Sequence, residues 1–107
     1  MSLDFYLSAV RKVEIFSRNI THNLGKMATE AGIYKCLWRP DENEFKYARD
    51  IIPILREGLE KLKKDPDHYK QFNSPNGWGM YEHFVPFVED ILRMCEENPD
   101  AEISVSR

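Results

Sequence analysis

Three histidines, His22, His68 and His83, and two cysteines, Cys36 and Cys95, are the side chains of this 107-residue sequence best suited to metal ligation or nucleophilic chemistry. A zinc site needs three or four ligands converging from set spacings. Glu82-His83 is not part of a His-Glu-x-x-His pair, and the cysteines stand far apart in sequence. No metal site and no cofactor are therefore expected, and both cysteines read as small buried hydrophobes in helical, apolar contexts. A serine nucleophile usually sits on a strained Gly-x-Ser-x-Gly elbow, which is absent. Gly77-Trp78-Gly79 is too short to cradle a phosphate, and neither a Walker A nor a dinucleotide fingerprint occurs. Carboxylates are plentiful, but acid–base catalysis needs two of them held in one cleft, which sequence alone does not establish. No catalytic residue is assigned.

Two segments stand apart. Asn19-Ile20-Thr21-His22-Asn23 groups short polar side chains and an imidazole where a strand is expected to give way to a helix. Free N–H groups at such an end can hold an anion or polar ligand. Plain helix capping, with Ile20 as an apolar anchor, is the simpler reading and is favoured. The second segment is Asn76-Gly77-Trp78-Gly79 with Tyr81. Its glycines permit turns with positive φ that would aim Trp78 at one definite place. An indole so aimed either plugs the core or lines a recognition surface, where Trp and Tyr are enriched; the core plug is expected. The candidate binding residues are Asn19, Thr21, His22, Asn23, Trp78 and Tyr81.

The elements that would position these groups follow from hydrophobic periodicity. Phe5, Leu7 and Ala9 alternate with Tyr6 and Ser8; Val13, Ile15 and Ser17 alternate with Glu14 and Phe16. This is the period-two pattern of half-buried strands, with Arg11-Lys12 at a hairpin between them. One long bent strand is the rival. Ala101, Ile103 and Val105 repeat the pattern at the far end. Because an isolated hairpin is marginal in water, the last strand should pair with the first and join the termini in one sheet.

The middle is helical. Thr21 or Asn19 can cap a helix with Leu24, Met27, Ala28 and Ala31 on one face. Ile33, Tyr34, Leu37 and Trp38 continue the stripe to Arg39-Pro40. A second helix runs from Tyr47 or Asp50 to Lys64, and Pro53 should bend it if it begins at Tyr47. Arg56–Glu60, Glu57–Lys61 and Glu60–Lys64 have the spacing of helical ion pairs. Asp65-Pro66 opens a short helix through Phe72. The last helix runs from Met80 to Glu97, with a kink expected at Pro86 and a stop at Asn98-Pro99. The fold class is thus α+β and mostly α. Three to four helices pack with a small antiparallel sheet formed by the N- and C-terminal strands, all in a single domain over 1–107.

Composition narrows the function. A domain of this length buries roughly 65% of its unfolded surface, enough for a core without staples. Eighteen acidic residues outnumber fifteen basic ones, for a net charge of −3. Phosphate contacts drive duplex binding, so nucleic acid is not an expected partner. Lys61, Lys63 and Lys64 form one dense basic cluster, which reads as the solvated end of a helix. The first ten residues carry Asp4 and no basic segment of a signal peptide. No apolar run approaches the roughly 20 residues of a membrane span. A cytoplasmic location is expected, and Met1-Ser2-Leu3 reads in part as an expression scar.

Asn-Ile-Thr-His-Asn followed by Met27, Leu-Arg-Glu-Gly-Leu at 55–59, Asn-Gly-Trp-Gly-x-Tyr at 76–81 and Cys-Glu-Glu-Asn-Pro-Asp-Ala at 95–101 occur together. In this combination the chain resembles a family of small uncharacterised bacterial and bacteriophage-associated proteins, a domain of unknown function, over nearly its whole length from Asp4. The resemblance implies a prokaryotic or phage setting and carries over no catalytic residue.

Two functional classes remain. The preferred one is a non-enzymatic binding or accessory protein, with a homodimer or another protein as partner. The alternative is a small enzyme or ligand-binding domain with a cleft between the Asn19–Asn23 junction and the Trp78 loop. Under the alternative, Asn19, His22, Asn23 and Trp78 line one concave pocket. Under the first they lie apart, or are buried and satisfied.

Overall fold

The computed structural model describes residues 2–9 and 14–107. The expected turn at Arg11-Lys12 and the inward Val13 fall outside the described residues. Two strands open the chain, β1 (Ser2–Ser8) and β2 (Glu14–Thr21), and β3 (Glu102–Ser106) closes it. They form one antiparallel sheet in the order β2-β1-β3, so the two ends of the described chain meet on the central strand. Between them lie a 3-10 turn (His22–Leu24), α1 (Gly25–Glu30), α2 (Tyr34–Trp38), a second 3-10 turn (Pro40–Asn43), α3 (Ala48–Lys64), α4 (Pro66–Lys70) and α5 (Tyr81–Glu97). The class is α+β with a small three-stranded sheet. The expected three to four helices resolve into five α-helices. Gly32, at φ 78°, separates α1 from α2 within what reads as one apolar stripe.

In β1 the alternation holds at Phe5 and Leu7, fully buried together with Leu3, while Ala9 lies beyond the strand and is only partly buried. In β2 the expected phase is wrong. Phe16 and Ile20 face the core, while Ile15 is 38% exposed. Pairing decides the phase, because Leu3 lies opposite Ile20 and Leu7 opposite Phe16. The register shift between Leu7 and Ser8 then offsets the start of β2 from the simple hairpin count. A one-residue slip would turn both inward side chains to solvent, so the buried β1 face selects this register.

The helices cover one face of the sheet. Each of the long helices α3 and α5 has 17 residues, with proline as the sixth. Both Pro53 and Pro86 are exposed, and both helices run on past them. A proline at this depth removes one backbone donor; on the outer side the freed carbonyl faces solvent. Asp50 does not cap α3 from outside. It sits in the first turn, where its Oδ2 accepts from the backbone N–H of Tyr47 (2.9 Å) and Lys46 (3.1 Å). The next donors are taken up by the chain leading into β3, Ala48 N–H to Ala101 O (2.8 Å) and Arg49 N–H to Pro99 O (3.0 Å). The start of α3 is thereby tied to the sheet.

Of the expected intrahelical pairs, Glu57–Lys61 forms at 3.6 Å, whereas Arg56 reaches Glu96 and Lys63 reaches Glu89 on α5. These pairs are largely exposed, so each contributes about 1 kcal/mol or less. The short helix after Asp65-Pro66 ends at Lys70, before Phe72. No helix among the described residues is long and apolar enough to cross a membrane.

Candidate functional site

The expected junction forms as a cap. Thr21 Oγ1 accepts from the Asn23 N–H at 3.3 Å and starts the turn that carries His22, Asn23 and the buried Leu24. The His22 Nδ1 accepts a 2.8 Å hydrogen bond from the indole of Trp38, which is 2% exposed and stacked on Tyr34. An acceptor at Nδ1 places the proton of the neutral ring on Nε2. Asn19, at the end of β2, donates from Nδ2 to Asp4 Oδ1 and to Ser2 Oγ.

The Trp78 loop is held from within and from the junction. Ser74 N–H donates to Gly79 O, Gly77 N–H to Ser74 O, and Asn76 Oδ1 accepts from both Ser74 Oγ and Trp78 N–H. Asn73 Oδ1 accepts from Tyr81 N–H at 2.7 Å, satisfying a free donor at the start of α5. Asn23 Nδ2 donates to Trp78 O at 2.7 Å and ties the loop to the junction. Gly79 has φ 117°, and a Cβ there would come within 2.9 Å of the Asn23 Cβ. A side chain at 79 is thus excluded by both conformation and contact.

The expected core plug is not what this loop makes. Trp78 is 71% exposed. The segment around it is used up in closing the turn and in seating Gly79 on Thr21 and Asn23, so the indole is left over the surface. Between junction and loop lies an open cleft of about 840 Å³, lined by Asn19, Thr21, His22, Asn23 and Trp78. Ile20 and Leu24 supply its buried apolar part. Tyr81 is the one candidate outside it: its hydroxyl donates to Leu62 O at 2.7 Å, against α3. Ser2 and His83 also line the cleft and escape sequence reasoning, and Asn76, part of the segment singled out, joins them as a lining residue. His83 was within reach of it, since it lies two residues from Tyr81.

The other reactive groups are accounted for elsewhere. Burial pushes the Cys36 thiol up to about 12, with Cys95 adding to the effect and a backbone hydrogen bond opposing it. Burial, then Glu96, pushes Cys95 up to about 12. Neither is a thiolate nucleophile at neutral pH. His68 Nε2 lies 3.2 Å from Glu30 Oε1, joining α4 to α1. No group of three or more metal-ligating side chains converges among the described residues. A second groove, of about 550 Å³, runs beside β3 and carries Asp41, Glu44 and Lys46. There the Arg107 guanidinium, hydrogen-bonded to Asp41, holds that carboxyl below its ordinary range.

No family profile, curated protein or solved structure matches this chain.

Proposed function

We propose that this chain is a small non-enzymatic binding domain whose ligand sits in the cleft between the Asn19–Asn23 junction and the Trp78 loop. The observation that carries the reading is the presentation of Trp78. A large aromatic side chain 71% exposed gains little from folding, yet its loop is closed by internal hydrogen bonds and bonded to Asn23. Exposed aromatics rigidly placed beside a concave polar surface are the usual anchors of recognition. The cleft offers hydrogen-bonding side chains but no activated nucleophile and no converging carboxylates, which supports binding over catalysis. The resemblance to bacteriophage-associated proteins supports a prokaryotic or phage setting, with a cytoplasmic location as part of the reading.

Protein-observed NMR on the intact chain tests the reading, using a library of small uncharged amides, nucleosides, saccharides and dipeptides. Hits should move the Trp78 indole N–H and the Asn23 and Asn76 side-chain amides first. Hits confined to the groove beside β3, or no hits, would overturn it. A second copy of the chain as occupant would show as a concentration-dependent shift of Trp78 without ligand, and would replace the small-ligand reading.

A further inference from the structure

We propose that the ligand of this cleft is a neutral carbohydrate, with one sugar ring laid on the open face of Trp78 and its hydroxyls bonded by side chains of the junction and loop. The proposal rests on the cleft being the binding site. Its first support is charge. Almost a third of the chain's residues are charged (31%), yet among the described residues that line the cleft none is Asp, Glu, Lys or Arg. A phosphate or carboxylate is held most strongly by a fixed cation such as Lys or Arg, whose charge offsets its lost hydration. A cationic ligand needs a free carboxylate, whereas Asp4 beside the lining accepts from Asn19 and Glu82 lies 4.0 Å from His83 Nε2. Nucleotides, phosphosugars and amines are therefore disfavoured, and an uncharged polar molecule is not.

The second support is the inventory of unused hydrogen-bonding atoms. Asn76 Nδ2 has no partner among the described residues, where Asn76 is engaged only through Oδ1. Asn19 is engaged only through Nδ2, which leaves its Oδ1 to accept. Asn23 keeps its Oδ1 and one Nδ2 hydrogen beyond the bond to Trp78 O. The Trp38 bond to Nδ1 leaves His22 its Nε2 side. Donors and acceptors are thus mixed around the cleft. A sugar hydroxyl is both donor and acceptor, so a mixed set of carboxamides and an imidazole matches it.

The third support is the single aromatic face. The negative face of an indole attracts the weakly positive C–H groups on one side of a pyranose ring. A flat nucleobase is better held between two walls, with its edge read in one plane. Here Trp78 stands alone opposite polar side chains, in a cleft whose 840 Å³ lies within the roughly 300–1,000 Å³ of small-molecule sites.

The test titrates the intact ¹⁵N-labelled chain with neutral oligosaccharides of glucose in α and β linkage, N-acetylglucosamine, galactose and xylose. Adenosine and glucose 6-phosphate serve as comparators. At least one neutral saccharide should bind, with the Trp78 indole and the Asn23 and Asn76 amides shifting. Trp78→Ala should weaken that binding about tenfold or more, as expected for an interface anchor, and Trp78→Phe should recover part of it. Trp78 is exposed, so both variants should keep their fold. Binding of adenosine with every saccharide silent would overturn the carbohydrate proposal and leave the cleft as a site. Tighter binding of glucose 6-phosphate than of neutral sugars would overturn the charge argument and the proposal with it. Saccharide binding that Trp78→Ala leaves unchanged would overturn the stacking. Silence of every probe would overturn both the proposal and the reading beneath it.

Discussion

The two tryptophans of this chain meet opposite fates within one neighbourhood. Trp38 is 2% exposed, stacked on Tyr34 with ring centroids 5.4 Å apart, and its N–H is taken by His22. Trp78 is 71% exposed, and its side chain has no hydrogen-bond partner among the described residues. His22 belongs to both settings: one nitrogen closes the core around Trp38, and the residue also lines the cleft under Trp78. The difference lies in what surrounds each indole in the chain. Trp38 ends an apolar stripe through Ile33, Tyr34 and Leu37, so burying it costs no other preference. Trp78 sits between two glycines whose positive φ values, 79° and 117°, spend the local chain on closing a turn. Burial and exposure here follow from backbone commitments rather than from hydrophobicity, which is the same for both side chains.

The comparison breaks most visibly under truncation. Trp38→Ala should destabilise the fold by about 3–5 kcal/mol, the range for large buried aromatics. Trp78→Ala should stay within about 0.5 kcal/mol, as surface changes do. Urea unfolding of both variants, with matched m-values, checks the contrast. Comparable losses from the two would mean that Trp78 is buried in solution, and the cleft would lose its anchor.

Much of this was legible from the sequence. The alternations at Phe5–Ala9 and Ala101–Val105 carried the sheet that joins the two ends, because burial on a single face writes period two directly into the chain. Both walls of the cleft were also named, from short polar residues at a strand end and from a glycine-flanked indole. What stayed hidden depended on distant partners. Both phases of β2 offer apolar residues, Ile15 in one and Phe16 with Ile20 in the other, and only the pairing with Leu3 and Leu7 chooses between them. The exposure of Trp78 is set by Gly79 lying against Asn23, 56 positions earlier in the chain and invisible to any local pattern. Tyr81 shares the loop's end but points its hydroxyl at Leu62, a preference fixed by the packing of α5 beside α3.

A sharper probe is the residue the two tryptophans share. His22→Leu removes the acceptor of the Trp38 N–H and leaves a buried donor unsatisfied, which costs about 1–3 kcal/mol. His22→Gln can present its side-chain oxygen to the same donor and should recover part of the loss. The Trp38 indole proton, followed by amide exchange, should lose protection in the leucine variant and regain it in the glutamine variant. Equal loss in both would mean that ring packing at 22, rather than the hydrogen bond, holds Trp38.

The smallest expected effect on stability tests the open side alone. Asn23→Ala deletes the bond from Nδ2 to Trp78 O but keeps the Cβ against which Gly79 rests. Asn23 is exposed, so water replaces the lost partner on both sides, and the cost should be about 0.5–1 kcal/mol. The effect on order should be larger than the effect on stability. Internal bonds among Ser74, Asn76, Gly77 and Gly79 keep the turn closed, yet no other side-chain bond fastens Trp78 to the junction. The Trp78 indole should therefore gain fast motion, read as a lower order parameter from ¹⁵N relaxation, while Trp38 stays rigid. Ligand affinity at the cleft should fall with it, because binding must then order a loop that the native chain holds in place beforehand. If Trp78 stays as rigid in Asn23→Ala as in the parent chain, the turn alone sets its direction. The junction would then contribute only its wall of polar side chains to the cleft.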